Sequence, residues 1–185
     1  MIKNKYILSI PFLLTTVLSF GQKINVKNRL DSLSNSTDSN YLPKTEIELE
    51  NWMSENCFNF NSYSINGNSI YEGFGIDKSG GLLIWYYTER GKKDNLKHFK
   101  SENEIVEYAY NQIKSDKWAM THCIGFSTDI NKITELKSKL QKMNTEFFED
   151  KIPYYGIHKP VYRIFVLGCD IKKTEHLKEK YYTEK

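Results

Sequence analysis

The residue types best suited to chemistry gather in one short stretch, Trp85-Tyr86-Tyr87-Thr88-Glu89-Arg90-Gly91. Alternation along a strand puts Trp85, Tyr87 and Glu89 on one face and Tyr86, Thr88 and Arg90 on the other. A carboxylate and a guanidinium at the end of a buried strand must each find a partner or water. Two readings fit. In one, Trp85, Tyr87, Glu89, Arg90 and Gly91 form a recognition site. In the other, Glu89 and Arg90 make an internal ion pair or turn that fixes the strand end. The residues that follow, 90–100, carry Arg90, Lys92, Lys93, Lys97 and Lys100 against Asp94. A basic loop of this kind can grip phosphate or an acidic partner, although such runs are commonly solvated.

The remaining reactive residues are scattered. The four histidines, His98, His122, His158 and His176, have no neighbour at metal-ligand spacing, so no metal or cofactor is expected. His122 and Cys123 are adjacent, but strand alternation points them to opposite faces. Glu146, Glu149 and Asp150 flank Phe147 and Phe148. Paired carboxylates can act as acid and base, but a charged helix end is the commoner meaning. No nucleophile elbow, Walker loop or dinucleotide fingerprint is present.

The N-terminus reads as an address. Lys3 and Lys5 precede an apolar run, Tyr6 to Phe20, that closes on Ser19-Phe20-Gly21. This is the layout of a secretory signal peptide over residues 1–21, with a cut before Gln22. The alternative is an uncleaved N-terminal anchor, for which the run is short. Export to the periplasm or beyond is the expectation, with the membrane involved only in export. An exported chain can carry a disulfide. Cys57, Cys123 and Cys169 allow three pairings and leave at least one thiol unpaired.

These residues need a scaffold. The length of 185 residues suits one domain. Hydrophobic residues make up 39 % and aromatics 14 %, enough to build a core. The net charge of +3 falls to about +1 without the two signal-peptide lysines, too little for a nucleic-acid binder. Residues 22–44 are polar and read as a linker. The domain proper is expected over 45–171, and 172–185 as a charged tail.

Within that domain, Thr45 and Glu48 make a capping box for a helix to Cys57. Ile70–Ile76 and Leu82–Arg90 read as a β-hairpin around Asp77–Gly81. The second strand is apolar on both faces, which makes it central. Gly73 and Gly75 share a face of the first strand and leave room for close approach. Ser101 and Glu104 cap a second helix to Ser115. Trp118–Phe126 alternates like a strand. Asp129 caps a third helix to about Thr145, with Ile133, Leu136, Leu140, Met143 and Phe147 as its apolar stripe. Tyr162–Gly168 is a last buried strand. The expected class is α+β, a small and mostly antiparallel sheet of about four strands with helices on one face.

The aromatic strand ending in Glu89-Arg90-Gly91, then Phe99 and the Ser101–Glu104 helix start, resembles immunity proteins of bacterial polymorphic toxin systems. The late strand Tyr162-Arg163-Ile164-Phe165-Val166-Leu167-Gly168 shares that resemblance, which spans about residues 70–170. It implies a small non-catalytic α+β protein that neutralises a toxin domain by covering it. Many such proteins are cytoplasmic, and this one carries an export signal. Two further readings are a small cell-envelope hydrolase and an accessory envelope protein.

Overall fold

The computed structural model describes residues 42–183. The expected signal peptide (1–21) and nearly all of the expected linker (22–44) lie outside the described residues. No helix among the described residues is long and apolar enough to cross a membrane.

Helix α1 (Glu46–Glu55) starts where Thr45 accepts a hydrogen bond from the Glu48 amide. The Glu48 carboxylate reaches back one residue further than a capping box requires, to the Lys44 amide. The helix ends in a Schellman motif. Cys57 takes the left-handed position with φ 58°, and the Phe58 amide bonds the Met53 carbonyl at 2.8 Å. Helix α2 (Glu102–Ser115) carries the complete Ser101–Glu104 capping box. Its Ile105, Val106, Ala109, Tyr110 and Ile113 are buried against Leu49, Trp52 and Met53 of α1.

The two helices share one face of a four-stranded mixed sheet, β1 (Tyr63–Ser64), β2 (Glu72–Ser79), β3 (Leu82–Glu89) and β4 (Lys92–Phe99), in that order. β1 runs parallel to β2, and the others are antiparallel. β3 is central, and its Ile84, Trp85 and Tyr86 are buried in succession. The β2–β3 turn is only Gly80-Gly81, both with positive φ, so β2 extends three residues beyond the expected strand. A Cβ on Gly73 would collide with the Ser62 backbone, and one on Gly75 with the Tyr86 ring and Ser64. These glycines let β1 and Tyr86 lie against β2.

A second sheet follows. β5 (Thr121–Ser127), β6 (Phe148–Ile152) and β7 (Val161–Leu167) pair antiparallel in the order β5-β7-β6. Helix α3 (Ile130–Lys142) starts at its Asp129 cap and buries Ile133, Leu136 and Leu140 on Ile124, Ile164 and Val166. It stops before Thr145 because Asn144 turns left-handed, φ 51°, and the Thr145 amide bonds the Leu140 carbonyl. Met143 and Phe147 still pack on this core from beyond the helix.

The α+β class is as expected, but the strands divide between two sheets. β1, β4 and β6 are the additional strands. The C-terminal segment is no tail. Through α4 (Ile171–Thr174) and α5 (Lys178–Tyr181) it buries Thr174, Leu177 and Tyr181, and Tyr182 bridges to Phe126. The charged residues 172–185 hide an apolar stripe too short to stand out in the sequence.

Candidate functional site

Of the five residues expected to form the recognition site, Trp85 is in the core. It is 2 % exposed, stacks on Phe74 at 5.7 Å and meets Tyr108 edge-on. Such a side chain cannot make first contact with a partner. Tyr87 shares its face, as alternation requires, and donates its hydroxyl to Glu72 at 3.0 Å. Glu89 and Arg90 form an exposed ion pair at 3.6 Å. Arg90 does not continue the strand. Arg90 and Gly91, with φ of 50° and 77°, are the two central residues of the β3–β4 turn. Positive φ at both positions is the hairpin turn that twists with its strands. The Glu-Arg-Gly motif therefore has a structural role here.

The basic run beyond it is a strand, not a loop. β4 lies at the sheet edge, with seven of its eight residues exposed. Lys93 bonds Asp77 at 2.7 Å and sits 4.0 Å over the Tyr86 ring. Lys97 lies on the helix-bearing face, 4.3 Å from the Tyr108 ring.

The second sheet brings together residues that the sequence reading left apart. The face opposite α3 carries Cys123, Phe126, Phe148, Asp150, Arg163 and Phe165, set side by side by the register. Phe148 stacks on Phe165 at 4.9 Å, and Trp118 leans on both. Tyr154 meets Phe126 edge-on. At the centre Arg163 grips Asp150 through Nε and Nη2, the first bond 2.8 Å long, and stacks 5.1 Å over Phe165. The Asp150 hydrogen bond, ahead of the cost of burial, raises the Arg163 pKa. Trp118, Tyr154 and Tyr155 remain 47 %, 52 % and 43 % exposed. Tyr, Trp and Arg dominate the energetics of protein interfaces.

The acid–base candidates do not converge. Glu149 and Asp150 are neighbours on β6, so they face opposite ways, and Lys137 holds Glu149 at 3.1 Å. His122 bonds the Cys57 carbonyl oxygen at 2.8 Å and is held below its ordinary pKa by burial. Cys123 points the other way, to the Gly125 carbonyl, and burial pushes its thiol up to about 11. A thiol with that pKa stays protonated at neutral pH and is a poor nucleophile. A cleft of about 330 Å³ opens beside the aromatic face, lined in part by Ser127, Asp129, Lys132, Tyr155 and Lys159. Neither His122 nor Cys123 lines it, and the Asp129 carboxylate already caps α3.

The disulfide left open by the sequence joins Cys57 to Cys169, and Cys123 is free. Among the described residues no three His, Cys, Asp or Glu side chains gather closely enough to hold a metal ion. In the sequence, Asp150 and Phe148 stand at a charged helix end and Trp118 and Arg163 on two separate strands, and nothing there joins the four into one site. For Phe148 and Asp150 the signal of a strand is the weak alternation of Phe148-Glu149-Asp150-Lys151-Ile152. Set against protein-family models, curated proteins and solved structures, the chain matches none.

Proposed function

We propose that this chain is an exported, non-catalytic protein-binding domain, with the toxin-neutralising role that the immunity-protein resemblance implies. The observation that carries the reading is the second-sheet face, where a bidentate Arg163–Asp150 pair sits among Trp118, Phe148 and Tyr154. Interfaces concentrate their binding energy in aromatic and arginine anchors of this kind. The Cys57–Cys169 disulfide supports export, because such bonds persist in oxidising compartments.

The test is affinity capture from the source cells with the tagged full-length chain, compared with Trp118→Ala and Tyr154→Ala variants. A stoichiometric protein partner retained by the parent and lost by both variants supports the reading. Undiminished capture by the variants moves the interface elsewhere. A folded bait that captures nothing overturns the binding reading and directs attention to the cleft and a small substrate.

A further inference from the structure

The first sheet has one long free edge. β1 closes the other side with two residues, while β4 runs for eight with no strand beyond it among the described residues. In an antiparallel pair, alternate residues turn N–H and C=O away from the neighbouring strand. Among the described residues no strand pairs with those groups along the outer side of β4, which makes the edge a template for another strand.

The charge around this edge selects what can pair with it. Five cations, Arg90, Lys92, Lys93, Lys97 and Lys100, gather here; Arg90 pairs with Glu89, Lys92 with Asp94 and Lys93 with Asp77, which leaves the edge with a positive excess over these three carboxylates. The cations lie on both faces of the edge. The register puts Lys92 opposite Glu89 and Lys97 opposite Trp85, on the helix-bearing face, while Lys93 lies opposite Thr88 on the other. The irregularity between Trp85 and Tyr86, which leaves Leu96 without a partner, creates this distribution. Lys93 and Lys97 are held in place by Asp77 and by the Tyr108 ring. A second copy of β4 carries the same excess of lysine over aspartate, so it would add cations to an edge that is already cationic.

We propose that the outer edge of β4 receives an extended acidic segment of a protein partner by strand addition. Backbone bonds supply the pairing, and carboxylates on the incoming strand meet Lys92, Lys93 and Lys97. The inference rests on the reading of this chain as a binding protein and gives it a second contact besides the aromatic face.

The experiment titrates the full chain with a short synthetic peptide alternating glutamate with threonine, followed by backbone amide NMR. A lysine–threonine peptide is the control, and the Lys92→Glu/Lys97→Glu variant runs in parallel. That variant leaves the Lys93–Asp77 pair in place, and its own amide spectrum reports whether it is folded. The expected result is saturable shifts on β4 with the acidic peptide alone. The variant should bind that peptide about tenfold more weakly and prefer the lysine peptide. Equal binding of both peptides, or shifts confined to the Trp118 face, overturns the proposal. So does the absence of binding at millimolar peptide, which makes the lysines a guard against edge pairing only. A captured partner that still binds the double variant separates failure of this inference from failure of the binding reading.

Discussion

Cys57 and Cys169, 112 residues apart, are joined by a disulfide that ties the end of α1 to the end of β7. Cys57 occupies the left-handed C-terminal position of α1 that glycine usually fills, and Cys169 follows Gly168, also at positive φ. Two turns thus converge on one covalent link between the elements around the two sheets.

Loss of this link should be costly. In the chain-entropy picture, closing a loop of that length removes about 5 kcal/mol of entropy from the unfolded state. The Cys57→Ser/Cys169→Ser chain should unfold at a clearly lower urea concentration than the parent. Addition of a reductant should bring the parent to the same midpoint. Coincident midpoints without reductant would show that the disulfide adds nothing to stability.

The Arg163–Asp150 pair should matter for stability as well as surface chemistry. Asp150→Ala leaves a half-buried guanidinium without its carboxylate, at a cost of about 1–2 kcal/mol. The double variant Arg163→Ala/Asp150→Ala should cost less than the sum of the two single changes. Urea unfolding of the four proteins measures this coupling.

Acid should weaken the fold through His122. Burial lowers its pKa in the folded chain below the ordinary 6.5. Between the two values the unfolded chain holds more protons, so stability falls as pH drops through about 6.5 and levels off below the folded pKa. The urea midpoint from about pH 7.5 to about pH 5 should show this slope, and His122→Asn should flatten it.

Gly73 should tolerate no side chain. It has φ 140°, and a Cβ there would meet the Ser62 backbone. Gly73→Ala should destabilise by well over about 1 kcal/mol. Gly80→Ala meets no neighbour and pays only for its positive φ, so it should cost less. Thermal unfolding of both variants ranks them.

Arg90 gives the opposite sign. Its φ of 50° suits asparagine better than arginine, so Arg90→Asn should stabilise the hairpin by a few tenths of a kcal/mol. If the variant also keeps its captured partner, Arg90 serves the turn and takes no part in recognition.

The features legible in the sequence are the local ones. Ser101 and Glu104 announce α2 because a capping box closes within one turn of chain. The Ile133–Leu136–Leu140 stripe announces α3 because helical periodicity repeats over a few residues. Gly80-Gly81 and the apolar run after it announce the β2–β3 hairpin, and Val161–Leu167 reads as a buried strand on its own. Even the mutual avoidance of His122 and Cys123 follows from alternation within one strand. What only the tertiary structure decided depends on distant partners. Lys92–Phe99 has no apolar periodicity and becomes a strand because β3 offers it a ladder. Trp85 became a core residue when α2 closed over it. Arg163 met Asp150 through strand pairing, and Cys57 met Cys169 across 112 residues. Such contacts are set by the packing of separate elements, which no short window of sequence contains.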